Sequence, residues 1–345
     1  MKDREKRKLK EILAHWELAP DKIKGVRDVY QVRTAVGIRA LKQVREKEEK
    51  IRFIASALQH LANQGFTKMA GLVVTRDGLP YLVHQGEYWV VNPWIDGYEP
   101  KYVRGEEMAR AASTLAAFHK AAEGYRPGDG ITPKNKLGRW IKKLESKAAD
   151  LNHYRRMVDG KAELSPFDRE FLAKAEWLCQ KTRESIEALK KSAYTRLCNQ
   201  YNQRKGYPLC HGDTAARNFV LNGEGDVYLI DFDSLAVDLR VIDLWRLLRR
   251  TLRKAKWDAA LALQILDSYN SIYPLSNDEY KVLFALLLFP EKPWRVAKEY
   301  YEKEGTKNGW DARGLTEDLK FYLGQQADYE NFLGHFAGYF RGVIN

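Results

Sequence analysis

Two short apolar runs joined by a glycine turn, with oxygen-bearing side chains at both open ends, constrain this chain most. The stretch reads Leu209-Cys210-His211-Gly212-Asp213-Thr214-Ala215-Ala216-Arg217-Asn218-Phe219-Val220-Leu221, then Asn222-Gly223-Glu224-Gly225, then Asp226-Val227-Tyr228-Leu229-Ile230-Asp231-Phe232-Asp233. Phe219–Leu221 and Val227–Ile230 predict the two strands of a hairpin. Asp213 and Asn218 then stand in the loop entering one strand, and Asp231 and Asp233 stand where the other ends. The hairpin thereby brings these oxygen-bearing side chains to one sheet edge. An amide with one or two carboxylates suits Mg²⁺ held against a triphosphate. A separate carboxylate can orient an attacking hydroxyl and accept its proton. Phosphoryl transfer is therefore the chemistry this pattern serves. A lone Asp-x-Asp is more often just a turn; the combined spacing and the hairpin argue against that reading.

The rest of the chain changes texture near residue 97. From Asp28 to Asp96 it is strand-like, with Val29–Thr34 and Ile38–Lys42 flanking a turn at Ala35-Val36-Gly37. Further strands are expected around Tyr81-Leu82-Val83 and Tyr88-Trp89-Val90-Val91. A helix is predicted from Glu48 to Asn63, because Ile51, Ile54, Ala55, Leu58 and Leu61 recur at three- and four-residue steps. Beyond Gly97 helices dominate. Glu106–Ala122 is periodic, Ser165-Pro166 is a helix start, and Ser276 with Glu279 is a capping box. Thr316-Glu317-Asp318 is expected to open another helix. The run Val282–Phe289 predicts a buried helix, which Pro290 and Pro293 then interrupt.

Of 345 residues, 45% are hydrophobic and 30% charged, which excludes a chain dominated by disorder. The net charge of +12 permits nucleic acid, phosphate ligands or an anionic surface without selecting one. No aromatic-lined module accompanies the basic residues, so no nucleic-acid partner is expected. On the helix that carries Leu244, Leu247, Leu248 and Leu252, the residues Arg246, Arg249, Arg250, Arg253 and Lys254 are expected to form a solvated face. No apolar run approaches the roughly 18 residues that span a bilayer, so no membrane partner is expected. The charged start lacks the apolar stretch of a signal peptide. Cys179, Cys198 and Cys210 form no CxxC pair, so neither a disulfide framework nor a zinc site is expected, and a reducing interior follows.

The H-x-D-x-x-x-x-N spacing followed by D-x-D resembles the catalytic and metal loops of the protein-kinase-like fold. His-Gly-Asp and Asp-Phe-Asp place the resemblance in the aminoglycoside phosphotransferase and choline kinase branch. It implies an α+β, bilobal protein-kinase-like fold, with a small antiparallel-sheet N-lobe carrying one helix and a larger, mainly helical C-lobe. Residues 1–92 would form the nucleotide-binding lobe, 93–97 a hinge, and 98–345 the catalytic and acceptor-binding lobe. Asp213 would be the catalytic base, with Asn218 beside it. Asn218 and Asp231 would hold Mg²⁺, with Asp233 behind them or on a second metal. Ala40-Leu41-Lys42 resembles the strand whose lysine neutralises ATP phosphates, and Asn92 to Gly97, with Trp94, would meet adenine. His119, in Leu115-Ala116-Ala117-Phe118-His119, is expected to be a buried structural histidine. Asp243 is expected to anchor the catalytic loop.

Val29-Tyr30-Gln31-Val32, Pro93-Trp94-Ile95-Asp96-Gly97 and Phe289-Pro290-Glu291-Lys292-Pro293-Trp294-Arg295 are similar to motifs of the CotS-like spore coat proteins. That likeness extends over about residues 20–340. It implies a kinase-like phosphotransferase for a small-molecule acceptor, made in the mother-cell cytoplasm and deposited on the spore coat beside other coat proteins. It also leads us to expect Arg295 at the acceptor end of a cleft, facing the region between Asp213 and the terminal helices. Two kinase parts depart from the pattern. The stretch Lys22–Asp28 holds one glycine where a phosphate loop is glycine-rich. No glutamate in the Glu48–Asn63 helix stands clearly opposite Lys42. The rival reading is a catalytically inactive kinase-fold component of the coat.

Overall fold

Strands form where β-branched and aromatic residues alternate between short turns, and helices where apolar residues recur every three or four positions. The computed structural model describes residues 3–203, 206–303 and 310–344. These residues fall into two compact units, described in turn.

The first unit takes residues 1–136, 204–244 and 267–273. Its sheet comprises β1 (Pro20–Val26), β2 (Val29–Thr34), β3 (Gly37–Val44), β4 (Leu82–His84) and β5 (Glu87–Pro93), in the order β1-β2-β3-β5-β4. Every pairing is antiparallel. Helix α1 (Asp3–Ala14) buries Leu9, Ile12 and Leu13 against Val32, Leu41, Trp89 and Val91 of this sheet. Each such side chain contributes roughly 1.5–3 kcal/mol by leaving water. Helix α2 (Glu48–Asn63) has the predicted bounds, and Phe53 and Ala57 join its buried face. The unit also holds α3 (Gly105–Ala121) and four short strands, β6 (Leu209–Cys210), β7 (Phe219–Leu221), β8 (Val227–Leu229) and β9 (Ala236–Val237). β7 pairs with β8 and β6 with β9.

The second unit takes residues 137–203, 245–266 and 274–345. Its helices are α4 (Trp140–Asp159), α5 (Pro166–Lys191), α6 (Tyr194–Gln203), α7 (Arg240–Lys254), α8 (Ala259–Asn270), α9 (Asn277–Leu287), α10 (Glu291–Lys303), α11 (Ala312–Leu323), α12 (Gln326–Tyr339) and α13 (Arg341–Ile344). The start of α7, to Leu244, and the end of α8, from Asp267, belong to the first unit. Ser165 and Asp168 close a capping box on α5, and Ser276 and Glu279 close one on α9. The core gathers Tyr154 and Val158 of α4, Phe167 and Phe171 of α5, Tyr300 and Tyr301 of α10, and Leu319 of α11. The Phe167 and Tyr300 rings stack with centroids 3.7 Å apart.

The structure corrects two expectations here. Helix α11 starts at Ala312 under an Asp311 cap; Thr316 lies inside it, its hydroxyl donating to the Ala312 carbonyl at 2.6 Å. The basic face of α7 is not solvated throughout. Arg249 is only 6% exposed and is bonded to Glu291 of α10. Arg253 lies over the Tyr322 ring at 5.3 Å and Arg246 over the Trp140 ring at 5.6 Å. Trp245 and the leucines bury the rest of this helix, and these three arginines are paired or stacked inside the unit, while Lys254 is exposed. Trp294 and Arg295 also find partners there. The Trp294 indole donates to Asp150 at 3.1 Å, and Arg295 lies 3.9 Å from Glu291.

Candidate active site

The β7–β8 hairpin forms as the sequence predicts, pairing Phe219 with Leu229 and Leu221 with Val227. The Asn222 carboxamide oxygen closes its turn, accepting from the backbone amides of Glu224 and Asp226. The Ile230 amide donates to the Asn218 carbonyl at 3.0 Å, which sets Asp231 beside Asn218. The buried His211 ring carries the loop between them. Its Nε2 donates to the Ile230 carbonyl at 3.0 Å and its Nδ1 accepts from the Asp213 amide at 3.4 Å. That pattern uses one ring proton, and burial pushes the His211 pKa below its ordinary value, so the imidazole is neutral.

Only glycine fits at position 212. Its φ is +84°, and a Cβ there would lie 2.2 Å from the Ser234 carbonyl oxygen. The Gly212 amide donates to the Asp243 carboxylate at 3.1 Å, while the Thr214 hydroxyl donates to the Asp243 carbonyl. Asp243 thus anchors the loop from behind. His119 is buried and lies within 3.4 Å of the same carboxylate, its other nitrogen 2.8 Å from the Tyr269 hydroxyl. His119, Cys210 and Asp243 lie close enough to hold a metal. Each is instead taken up by the hydrogen bonds that fix the loop.

At the front of the loop, one oxygen of Asp213 accepts from the Arg217 guanidinium at 2.7 Å and from the Asn218 amide nitrogen at 3.1 Å. The same Asn218 nitrogen donates to the Asp213 carbonyl. The Asn218 side-chain oxygen therefore points elsewhere, with no donor on it among the described residues. Lys42 of β3 reaches Asp231 and Asp233 at 2.7 Å each. Burial pulls the Lys42 pKa down, but the two carboxylates outweigh it and hold it above its ordinary value. Asp231 sits at φ +63°, ψ +73°, a left-handed conformation that costs about 1–3 kcal/mol for a residue with a side chain. One oxygen on each of these carboxylates is free of Lys42. With Asn218 they form a set of hard oxygen donors, which fits a magnesium ion.

Other expected site residues have different surroundings. The Asn92 side chain donates to the Ala70 and Gly71 carbonyls at 3.1 and 2.9 Å, tying the loop after α2 to β5. The Trp94 amide donates to the Ile38 carbonyl at 3.2 Å. Gly97 approaches the hairpin so closely that a Cβ would lie 2.3 Å from the Leu221 carbonyl oxygen. The stretch expected as a phosphate loop is β1 and a two-residue turn, Arg27-Asp28, joining Val26 to Val29. Gly25 lies within β1, where an added Cβ would meet nothing within 4 Å.

On α2, Glu48 accepts from the Tyr81 hydroxyl at 2.6 Å, and His60 bonds the Glu123 carbonyl. A lysine of α2, Lys50, reaches the chain just past the Asp-Phe-Asp segment, its ammonium donating to the Leu235 carbonyl. Arg217 and Lys50 had drawn no role from the sequence. The i, i+4 spacing from Asp213 was the available signal for Arg217; Lys50 had none, because α2 and residue 235 meet only in the folded chain.

Solved structures that resemble this one include small-molecule kinases. An aminoglycoside phosphotransferase from Alicyclobacillus acidocaldarius superposes with a TM-score of 0.85 at 25% identity, covering 96% of each chain. A spectinomycin phosphotransferase, solved with ADP and spectinomycin, gives 0.62 at 13% identity over 96% of this chain and 98% of its own. The fold is therefore that of the kinase-like phosphotransferases. Spore coat protein S of Bacillus subtilis is 26% identical over 339 residues, 96% of this chain and 94% of the relative. The family described as spore coat putative kinase YutH matches residues 9–336, and the chain belongs to that family.

Proposed function

We propose that this protein is a phosphotransferase that uses Mg²⁺-ATP to phosphorylate a hydroxyl of a small molecule, in a cell that builds a spore coat. The observation that carries this reading is the convergence of Lys42, Asp213, Asn218, Asp231 and Asp233 within one unit. Asp213 accepts the proton of the acceptor hydroxyl, and Arg217 and Asn218 hold its carboxylate oriented and charged. Lys42 neutralises phosphate charge while keeping Asp231 and Asp233 in place. Asn218, Asp231 and Asp233 hold the magnesium ion, which when bound supplies charge neutralisation on the phosphate oxygens. Backbone groups of 93–97, between a nucleotide-binding part at 1–92 and an acceptor-binding part at 98–345, meet the adenine. The kinship with Spore coat protein S supports synthesis in the mother cell and deposition on the coat among its other proteins.

Isothermal titration with Mg²⁺-ATP tests the site. Binding is expected for the wild type and at least tenfold weaker in Asp231→Ala; no binding, or no change, refutes the metal assignment. ATP consumption should then be measured across sugars, amino alcohols and aminoglycosides, with loss expected in Asp213→Asn. A second reading, an inactive coat component, is favoured by the Arg27-Asp28 turn, which offers no glycine-built cradle for phosphate. Turnover that depends on Asp213 would end it.

A further inference from the structure

The segment Phe289-Pro290-Glu291-Lys292-Pro293 has no part in that chemistry, yet it walls a cavity inside the second unit. The facing walls are Arg249 and Arg253 of α7, Tyr322 of α11, and Gln325 and Gln326 where α12 begins. The centre of a water-sized sphere has about 30 Å³ in which to move there, at least double the roughly 10–15 Å³ that one water requires. The space suits a compact group of several heavy atoms.

The described residues that line this cavity carry more positive than negative charge. Arg249, Arg253 and Lys292 stand against one lining carboxylate, Glu291, which is already bonded to Arg249 and lies 3.9 Å from Arg295. The next acid, Asp318, is half exposed and 3.6 Å from Lys292. Burial, with Arg253, Arg250 and Arg295 around it and Glu291 opposing, brings Arg249 down to about 10. Burial and the nearby Arg295 and Arg253 hold Lys292 below its ordinary value. Hydrogen bonding is also incomplete. The Arg249 Nε, buried on a side chain 8% exposed, and the Oε1 atoms of Gln325 and Gln326 have no partner among the described residues. A buried donor or acceptor left unpaired costs about 1–3 kcal/mol.

We propose that this cavity binds a small protonated oxyanion, hydrogen phosphate being the form that fits. Its negative oxygens accept from the Arg249 Nε–H and from Lys292, with the Arg253 guanidinium in the same wall. Its single O–H donates to one of the two glutamine oxygens, which no bare anion can do. Pro290 and Pro293 hold the Lys292 end of the wall rigid, and Tyr322, under Arg253 and Lys292, keeps both cations turned inward.

The test is calorimetric titration of the full chain with inorganic phosphate in chloride buffer of matched ionic strength. Saturable binding is expected, weakened at least tenfold in Lys292→Gln and in Gln326→Glu, and unchanged in Lys42→Met. Gln326→Glu preserves side-chain size and places a competing carboxylate among the cations, so it should also raise the melting temperature without phosphate. Sulfate, which carries no O–H at neutral pH, should bind more weakly than phosphate. Absence of saturable phosphate binding at millimolar concentration, or binding untouched in both cavity variants, overturns the proposal. So does binding lost in Lys42→Met, which would put the anion in the nucleotide site. Equal binding of sulfate overturns the role given to the glutamines.

Discussion

Lys50 of α2 donates its ammonium hydrogen to the carbonyl oxygen of Leu235, two residues beyond Asp233. Burial, then Lys134 and Lys136, bring its pKa down to about 7, against the opposing pull of Glu46 and Asp233. Between about pH 7 and 10.5 the folded protein therefore binds fewer protons at Lys50 than the unfolded chain does. Its contribution to stability rises with pH through that window, by at most about 1.4 kcal/mol per pH unit. Urea midpoints measured from pH 7 to 10 should show this slope, and Lys50→Met should flatten it. An equal slope in the variant would assign the effect elsewhere.

Gly212→Ala should be among the most damaging single-methyl changes in the chain. The new Cβ meets backbone, the Ser234 carbonyl, and the φ of +84° already disfavours it. Strain and overpacking together suggest a loss on the order of 3 kcal/mol in urea unfolding. A change below about 0.5 kcal/mol, within the range of ordinary surface substitutions, would mean that the loop shifts freely.

Lys42→Met removes the partner of two carboxylates at once. Nucleotide affinity should fall tenfold or more, read by fluorescence titration with a labelled ATP analogue. The fold should survive, because Asp231 and Asp233 keep substantial access to water. Wild-type affinity in this variant would remove Lys42 from the phosphate site.

The Arg249–Glu291 pair predicts a double-mutant cycle with large coupling. Arg249→Met removes the bonded partner of Glu291, 11% exposed, leaving Arg295 at 3.9 Å and the less direct Lys147 and Arg253, and should cost about 3–5 kcal/mol. Adding Glu291→Leu should recover much of that loss, since the charge left unpaired is then gone. Additive effects of the two changes would show the pair to be uncoupled.

What could be read from the sequence was what local physics decides. The period of Ile51, Ile54, Leu58 and Leu61 fixes both ends of α2, and the Ser165 and Ser276 boxes fix the starts of α5 and α9. The spacing from Asp213 to Asn218 and from Asp231 to Asp233 survives folding because a single hairpin joins the two pairs. Helix α1 escaped notice although Leu9, Ile12 and Leu13 have helical spacing, because charged residues crowd around them. Strand β1 is defined by its partner β2 rather than by its own pattern, in which every third residue is half-buried. Thr316 offered a start signal that Asp311, the residue immediately before α11, supplied instead. The buried cations of α7 were illegible for a different reason: only Glu291, Tyr322 and Trp140, distant along the chain, decide whether an arginine faces water.

The first unit is assembled from stretches far apart in the chain, and that has a consequence for its biosynthesis. Lys42 and Asp231 are 189 residues apart. At about 5–20 residues per second, a ribosome takes roughly 10–40 seconds to pass from one to the other. For much of that interval, from Pro93 at the end of β5 to Leu209 at the start of β6, the five-stranded sheet has been made while β6 to β9 have not, and Leu229, whose carbonyl binds the Ala70 amide, is still to come. The nascent N-terminal part must wait with its hydrogen bonds and apolar surface incomplete, so this chain should depend on chaperone shielding during translation more than a unit of equal size encoded without interruption.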